Sequence, residues 1–487
     1  MKIALLMPGM DTGEMRSNSG FRFLHDLSRS KLWNQVWSPI TRKFFHLDNL
    51  YPTGLVQLAT ILKANHDVKI FNFLQGADIQ EVIDYSPDVV GFTCSAGGNL
   101  VWIDKMSRFL KSQLGCLIFL GGPHVSLLPE QSLRTTVADY VFVGESDWIV
   151  PQVLEFIEGK ADSLPTEGVC YWKDGDVVVT PNSLVSDLSQ LPIPDHTILD
   201  LKDYRTIGVQ LSRGCHHRCS FCYLSGYEKY YSWRHRPTQA VVQELVAISE
   251  RVDMKGRRVS FVDDSFTGNE KAVRDVLKAI IDLKLNLSFW SEVDVNTKTE
   301  TLELMKEAGC SFVYAGIETA EEDFLRSYAS FKNRDRSLSF VRSAKEQRIA
   351  PSVGVMLMLP DETKAHIRET LKFCKEMARI PMKVGKFGAK MIVYPHIFRP
   401  VPGTPLAEEL EKRGWEPPQT FENWGYFYDD ISNGRLEKAN FTADVSRGFL
   451  IWTLLQIAWM NFQTIIISRM MHALGRVCFP ERDRSQK

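Results

Sequence analysis

The chain has 487 residues, of which 44% are hydrophobic and 24% are charged, and its formal net charge is -1. A single hydrophobic core stops growing near about 250–300 residues, so the length predicts two domains and an appendage. The near-zero charge excludes a global field that would hold nucleic acid or an acidic membrane, so either partner would need a local patch. The nine cysteines are an odd number with uneven spacing, which favours a reducing cytoplasm over a disulfide framework.

The N-terminal third alternates short apolar runs with helical stretches. The apolar runs are KIALLMP, VKIFNF, VVGFTC, CLIFLGG and YVFVGE. This alternation predicts a doubly wound parallel sheet, in which ligands bind beyond the carboxyl ends of the strands. The first run has no long apolar signal segment behind it, so we expect it to form the first buried strand.

Small residues follow these predicted strands and would let a flat ligand approach the backbone. The candidates at the strand ends are Pro8, Ser95, Gly97, Gly121, Gly122, His124, Gly144 and Glu145. For His124, as for any single histidine, a packed and hydrogen-bonded side chain is the commoner outcome. Residues 11–48 interrupt the alternation with a polar and aromatic insertion, and insertions of this length are often functional.

A turn signal and a linker separate the two predicted domains. Asp174 and Gly175 predict a β-hairpin, and a stretch punctuated by prolines follows it. The predicted organisation is a first domain at 1–160, a hairpin and linker at 161–204, a second domain at 205–406 and a mainly helical region at 407–487. In the second domain, repeated strand and helix patterns predict a parallel barrel or partial barrel, with its chemistry at the carboxyl ends of the strands.

The stretch RGCHHRCSFCYLSG places Cys215, Cys219 and Cys222 within eight positions. Clustered thiolates select zinc or an iron-sulfur cluster. A structural zinc site needs four ligands, usually as two Cys-x-x-Cys pairs, and no second pair lies downstream. His216 or His217 could supply a fourth zinc ligand, but the spacing is cramped. Three cysteines on a four-iron cluster leave one iron open for a substrate, and this interpretation fits the loop better.

The spacing Cys-x-x-x-Cys-x-aromatic-Cys is the signature of the radical S-adenosylmethionine (SAM) superfamily, and CHHRCSFC resembles it at every required position. The resemblance implies that Cys215, Cys219 and Cys222 hold a [4Fe-4S] cluster whose open iron chelates SAM. An electron would then cleave SAM to a 5'-deoxyadenosyl radical, which abstracts hydrogen from the substrate. Phe221 is implied to contact the adenine, and Tyr223 to line the cofactor site.

Further segments resemble the subgroup of this superfamily that carries an N-terminal cobalamin-binding domain. They include YPTGLVQLATILKANHDVKIFNF, LGGPHVSLLPEQ and YVFVGESD, and the resemblance covers roughly residues 1–406. It implies a Rossmann-like sheet for cobalamin, with the strand-end candidates as its contacts, followed by a (β/α)6-type partial TIM barrel. It also implies an external electron donor such as flavodoxin or ferredoxin.

One departure concerns the lower face of cobalamin. The chain has no Asp-x-His-x-x-Gly run, the motif by which other cobalamin domains supply a histidine to cobalt. Cobalamin would therefore bind without that ligand, and the loops 8–12 and 94–99 would control access to the metal.

Acidic residues stand at the ends of predicted barrel strands. Asp263 and Asp264 could bind cofactor hydroxyls or substrate cations, or they could cap the loop. Glu318 ends a buried strand, where a carboxylate needs a partner, and Glu292 is a candidate for the SAM ribose or amino group. In VGVMLMLPDET, Met358 occupies the position of a glycine that usually precedes Leu-Pro in relatives, which makes SAM contacts there less certain.

The most apolar stretch of the chain, residues 447–471, is long enough to span a bilayer. Gln456, Asn461 and Gln463 interrupt it, so we favour a helix packed against the barrel over an interfacial helix. A membrane contact through this stretch is not favoured.

The preferred function is a cobalamin-dependent radical SAM methyltransferase of the cytoplasm, which would use methylcobalamin to methylate an unactivated carbon or phosphorus centre. Its substrate would be a small or lipid-like molecule, and no nucleic acid is expected. The same motifs fit a radical cyclisation, ring contraction or rearrangement without methyl transfer. An alternative from another class is a metal- or cobalamin-binding module without turnover.

Overall fold

The computed structural model describes residues 1–9, 51–95, 97–227, 232–381, 391–432 and 445–478, without the side chains of 464–478. The predicted insertion at 11–48 lies outside the described residues. The chain forms two compact units, one of residues 1–262 and 399–440 and one of residues 263–398 and 441–487. The domain boundaries predicted from the sequence stay a prediction.

The strands fall into two series that follow the predicted apolar runs. In chain order they are Lys2–Met7 (β1), Asp67–Asn72 (β2), Val89–Thr93 (β3), Leu117–Gly121 (β4), Tyr140–Phe142 (β5), Val169–Lys173 (β6), Asp176–Val179 (β7), Thr206–Val209 (β8), Ser212–Arg213 (β9), Arg234–His235 (β10), Arg258–Phe261 (β11), Phe289–Glu292 (β12), Cys310–Glu318 (β13), Ala350–Leu357 (β14) and Ile392–Ile397 (β15).

The helices alternate with these strands. In chain order they are Thr53–Leu62 (α1), Ile79–Tyr85 (α2), Asn99–Leu114 (α3), Pro123–Leu127 (α4), Pro129–Thr135 (α5), Ile149–Ile157 (α6), Thr238–Arg251 (α7), Glu270–Asp282 (α8), Thr299–Glu307 (α9), Glu322–Tyr328 (α10), Arg334–Glu346 (α11), Lys364–Arg379 (α12), Pro405–Lys412 (α13), Phe421–Ser432 (α14) and Arg447–Cys478 (α15).

The first unit contains a seven-stranded sheet in the order β2-β1-β3-β4-β5-β6-β7. Strands β1 to β5 are parallel, and their nearly continuous burial is typical of a sheet covered on both faces. The antiparallel hairpin β6-β7 extends the sheet, and its turn residues Asp174 and Gly175 have φ of 50° and 91°. The predicted doubly wound sheet and the predicted hairpin are both confirmed.

The strands of the predicted partial barrel are divided between the two units: β8 and β11 belong to the first unit and β12 to β15 to the second. In the first unit β8 pairs with β11. In the second unit the order is β15-β14-β13-β12, with helices between successive strands. The mixed α/β fold class, with a helical C-terminal region, is therefore confirmed.

The C-terminal helix α15 packs on β15 within the second unit. Leu450, Thr453 and Ile457 are fully buried on its inner face. The Asn461 amide accepts a hydrogen bond from the Val393 N–H (2.9 Å) and donates one to the Val393 carbonyl (2.8 Å), which satisfies backbone groups of that strand. One of the polar interruptions in the apolar stretch thus anchors the helix. Of the helices that the structure describes, none is long and apolar enough to cross a membrane.

Candidate functional site

The cysteine-rich loop is closed at its base by a short antiparallel ladder. Strand β9 pairs with β10, so that Arg213 lies opposite Arg234 and Ser212 opposite His235. Gly214 has a φ of 84°, a conformation that glycine adopts without strain, and this turn leads directly into Cys215. The three cysteines therefore lie on one loop whose two ends are joined by hydrogen bonds.

The three cysteines are half-buried around a small apolar cluster. The N–H of Cys222 donates to the Cys219 carbonyl at 3.0 Å, and a single 3-10 turn, Tyr223–Gly226, follows. Leu224 and Tyr227 are buried, and Cys215 and Cys222 pack against them. This environment removes water from the thiols on one side while leaving them partly accessible on the other.

The donor set fits an iron-sulfur cluster better than a single ion. Across the described ranges, no three His, Cys, Asp or Glu side chains converge on a point that would hold one metal ion. A [4Fe-4S] cluster does not require such a point, because each cysteine binds a different iron. His216 is exposed, and its ring lies 4.6 Å from that of His217 between centroids, at an interplanar angle of 55°.

Two ion pairs connect the base of the cysteine loop to the sheet of the same unit. Arg213 contacts Asp147 through two hydrogen bonds of 2.7 and 3.0 Å, and Arg234 contacts Glu145 through two of 2.8 and 3.0 Å. These side chains are only 9–13% exposed. Bidentate arginine-carboxylate pairs fix orientation as well as distance. The predicted cobalamin contact Glu145 thus holds the cysteine loop, a role that the sequence interpretation missed together with both arginines and Asp147.

A Pro-Gly-Thr-Pro turn, residues 402–405, supports the other side of the loop. The Leu406 N–H donates to the Ser220 carbonyl at 3.0 Å. A Cβ placed on Gly226 would lie 2.6 Å from Leu127 Cδ2 and 3.1 Å from the Gly403 carbonyl oxygen. Gly226 therefore permits a close approach of two backbone segments, and the cysteine loop has no spare room at this point.

Gly226→Ala is expected to lower the iron content of the reconstituted protein severalfold, because overpacking at a tight site costs about 1–3 kcal/mol and would displace the loop. Iron and sulfide per chain measure the effect. Adding Leu127→Ala should restore part of the loss by making room for the new methyl group. Gly54→Ala, at a position with open space around it, serves as the matched control. Unchanged iron content in Gly226→Ala would contradict this account of the loop.

The strand order of the first unit predicts where a flat ligand binds. In a sheet of order 2-1-3-4-5, the crevice lies between the carboxyl ends of β1 and β3, which here lead to Pro8 and Ser95. A Cβ on Gly97 or Gly121 would meet nothing closer than 3.5 Å, so the backbone there is open to a ligand. The predicted loop at 8–12 is described only as far as residue 9.

Gly122 is required by the protein's own packing, and Gly144 is favoured by its φ of 94°. Gly122 has a φ of 110°, and a Cβ there would lie 2.7 Å from the Cys94 carbonyl oxygen. The Gly144 N–H donates to Ser126 Oγ at 3.0 Å. Both glycines thus hold neighbouring strand ends together, which is independent of any ligand.

His124 lies beneath helix α14. The histidine is 1% exposed, and the rings of Phe421, Trp424 and Tyr428 contact it edge-on at centroid distances of 5.7–6.0 Å. Within the part of the chain that the structure describes, neither ring nitrogen has a hydrogen-bond partner. Burial lowers the pKa of His124 to about 3, so the ring is neutral. The sequence favours a packed and hydrogen-bonded histidine: the packing is observed, the expected hydrogen bond is absent among the described residues, and a contact between His124 and cobalamin stays a prediction.

Carboxylates gather at the strand ends of the second unit. Glu318 ends β13 with a φ of 62°, a strained conformation for this residue type, and its carboxylate pairs with Lys332 Nζ. Tyr314 Oη lies 2.8 Å from His396 Nε2. The pKa of Glu292 is raised to about 7, chiefly by burial. The negative charges of Glu318 and Asp264 contribute to this rise, and the positive charge of Lys332 opposes it. Glu292 keeps solvent-accessible surface at the end of β12, while neighbouring protein atoms crowd its carboxyl group.

The turn after β14 contains Met358, which stands where relatives usually have a glycine. Met358 has a φ of 68°, the conformation that a glycine would adopt without strain. The buried Glu362 carboxylate accepts hydrogen bonds from the N–H groups of Met358 (2.6 Å) and Leu359 (3.3 Å) and holds the turn in place. Burial raises the pKa of Glu362 to about 8.

Two family models match the chain. Residues 209–374 match the radical SAM superfamily, and residues 47–154 match the B12 binding domain. Together they cover the cysteine loop and the ends of β2 to β5, whereas the end of β1 lies outside both matches.

Relatives and solved structures extend this similarity. An uncharacterized methyltransferase of Pyrococcus horikoshii is 29% identical over 67% of this chain and 73% of its own length. The hopanoid C-2 methylase of Rhodopseudomonas palustris is 26% identical over 61% of this chain, and the match spans about half (53%) of that relative. The radical SAM methyltransferase TsrM of Kitasatospora setae superposes with a TM-score of 0.67 at 16% identity, over 85% of this chain and 76% of TsrM, which shows a shared fold.

Proposed function

Because the chain belongs to the cobalamin-dependent radical SAM enzymes, we propose that it transfers a methyl group from SAM to an unactivated carbon or phosphorus centre of a small or lipid-like molecule. The family implies a [4Fe-4S] cluster, SAM and cobalamin as cofactors. Two nearly buried ion pairs, Arg213–Asp147 and Arg234–Glu145, hold the three-cysteine loop against the sheet that matches the B12 binding domain. This is the observation that carries the proposal. The curated relatives named as methyltransferases support methyl transfer as the reaction.

Different residues of the first unit would bind the [4Fe-4S] cluster and cobalamin. When bound, the cluster supplies the electron that cleaves SAM, and cobalamin carries the methyl group to the substrate. Cys215, Cys219 and Cys222 would hold the cluster, with Phe221 and Tyr223 beside it. Gly97 and Gly121 would let the corrin ring approach the backbone, because a glycine has no side chain to separate the ring from the backbone.

The carboxylates of the second unit would bind SAM. The amino group of SAM is a cation, and its ribose carries two hydroxyl groups, so carboxylates are suitable partners for both. We assign Glu318, Glu292 and Asp264 to these groups. Lys332 offsets part of the negative charge, so the three acids can remain close together without a bound cation.

SAM binding is expected to tighten as the pH rises through about 7. The pKa of Glu292 is raised, so its carboxyl is neutral below that pH and becomes an anion above it. Only the anion attracts the amino group, and affinity should therefore fall by up to about tenfold for each pH unit below the pKa. Equilibrium dialysis between pH 6 and 8 measures this.

Glu292→Gln should remove most of this pH dependence and weaken binding at pH 8. Asp323→Asn, at a position where the side chain is 91% exposed, is the matched control and should leave the profile unchanged. A profile that is the same in Glu292→Gln and in the parent would contradict the assignment of Glu292.

Methyl-labelled SAM tests the proposed reaction. The protein is purified under anaerobic conditions with cobalamin, reduced by flavodoxin or ferredoxin and supplied with a cell extract as the source of substrate. The proposal predicts bound corrinoid in the visible spectrum and a labelled product that requires both SAM and cobalamin. A substrate-derived product without label would favour cyclisation, ring contraction or rearrangement.

A further inference from the structure

Helix α15 is apolar on the face that points away from its own unit as well as on the packed face. Trp452, Leu455 and Trp459 are 42%, 41% and 57% exposed. Their spacing of three and four residues places them on one stripe of the helix. Phe449 and Phe462 extend the stripe, with ring centroids 5.3 Å from Trp452 and 5.6 Å from Trp459. These five residues are called the aromatic face.

A basic stripe lies on the neighbouring helix α12, which packs against α15. The exposed residues Arg368, Lys372, Lys375 and Arg379 repeat at intervals of four, three and four, so they share one side of the helix. Both acidic residues of α12 are paired: Glu369 contacts Arg334 and also Lys372 of the basic stripe, and Glu376 contacts Arg334. Cationic charge therefore remains in excess along this helix.

The two stripes meet at one contact. The Arg368 guanidinium lies 5.1 Å from the ring centroid of Phe449, within the range of a cation-π interaction. Exposed tryptophan beside lysine and arginine is the composition of segments that lie in a membrane interface, where rings enter the headgroup region and cations meet anionic lipids. The net charge of the whole chain is -1, so the positive charge of this stripe is a local excess.

We propose that the aromatic face and the basic stripe of α12 together bind the surface of an anionic lipid bilayer. The favoured packing of α15 against β15 is retained, because its inner face stays buried while the outer face contacts lipid. The helix would lie on the bilayer without crossing it, in agreement with the lack of a spanning helix in the part of the chain that is described. The proposal does not depend on methyl transfer, because neither stripe contains a residue assigned to cluster, SAM or cobalamin.

Sedimentation with lipid vesicles tests the proposal on the full-length protein. Vesicles of phosphatidylcholine mixed with phosphatidylglycerol are compared with vesicles of phosphatidylcholine alone. The parent protein should bind the anionic vesicles and lose affinity as salt is added, since salt screens the basic stripe. The double variant Trp452→Ser/Trp459→Ser should bind at least about tenfold more weakly, because it removes most of the exposed ring surface.

A variant of the basic stripe and a control variant separate the contribution of charge to vesicle binding from that of the aromatic face. Lys372→Glu/Lys375→Glu should weaken binding to anionic vesicles by about tenfold and leave the weak binding to neutral vesicles unchanged. Trp172→Ser, at a tryptophan that is 45% exposed in β6 of the first unit, is the matched control and should bind like the parent. Circular dichroism should show the same helix content in all variants, because the substituted side chains are exposed.

Three results would overturn the proposal. The first is a parent protein that anionic vesicles do not retain, and the second is equal binding by the tryptophan double variant and the control. A parent dimer that the tryptophan double variant lacks, without vesicle binding by either, would identify the aromatic face as a protein interface. The methyl-transfer assay is unaffected in all three cases, so failure here is distinct from failure of the proposed reaction.

Discussion

Replacing Cys219 by alanine is expected to abolish formation of 5'-deoxyadenosine, with a loss of at least about a thousandfold, as for removal of an essential catalytic group. In the proposed site, the three thiols would be an incomplete ligand set that already leaves one iron for SAM. Losing another thiol leaves a second iron without a protein ligand, and the cluster would be lost or altered. Iron content, the visible spectrum and 5'-deoxyadenosine by chromatography measure the outcome.

Cys374→Ala is the matched control for this variant. Cys374 is fully buried on α12, and burial raises the pKa of its thiol to about 12, so it is an inert core residue. Its loss should reduce stability slightly and leave the iron content intact. Full cluster content and full SAM cleavage in Cys219→Ala would show that this loop does not hold the catalytic cluster.

The second large effect is expected from the ion pairs at the base of the cysteine loop. Asp147→Ala removes the bidentate partner of Arg213 in a nearly buried position and leaves it Gln210 and the more distant Glu145 carboxylate, so the cost should lie below the value of about 3–5 kcal/mol for a fully broken buried pair. We expect a lower midpoint of unfolding and at least a severalfold loss of bound iron, because Arg213 lies two residues before Cys215. The charge-swapped variant Asp147→Arg/Arg213→Asp should recover part of both.

A surface pair provides the control for this experiment. Glu130 and Arg134 form an ion pair with side chains 55% and 47% exposed, and such pairs contribute about 0–1 kcal/mol. Glu130→Ala should therefore change neither the unfolding midpoint nor the iron content by much. If Asp147→Ala retained its iron while losing stability, the ion pairs would be structural only.

Local patterns carried most of what could be predicted. The apolar runs define strands because a parallel sheet buries both faces, and the cysteine spacing is a property of one short loop. The hairpin at Asp174 and Gly175 was predictable for the same reason, since its turn depends on two adjacent residues.

Contacts between distant parts of the chain could not be predicted. Arg213 and Asp147 are 66 positions apart, and nothing in either segment indicates the other. Helix α14 covers His124 although almost 300 residues separate them, and Asn461 meets Val393 through backbone groups that have no sequence signature. Met358 could be recognised as an exception, but its left-handed backbone and the support from Glu362 depend on the folded turn.

The measurement that tests the central claim most directly is a count of two products in one anaerobic reaction. Transfer of a methyl group from SAM leaves S-adenosylhomocysteine, whereas reductive cleavage of SAM leaves 5'-deoxyadenosine and methionine. A radical methyltransferase with bound cobalamin predicts both nucleoside products, each dependent on the cluster, with S-adenosylhomocysteine absent when cobalamin is omitted. 5'-Deoxyadenosine without S-adenosylhomocysteine in the cobalamin-loaded protein would contradict methyl transfer.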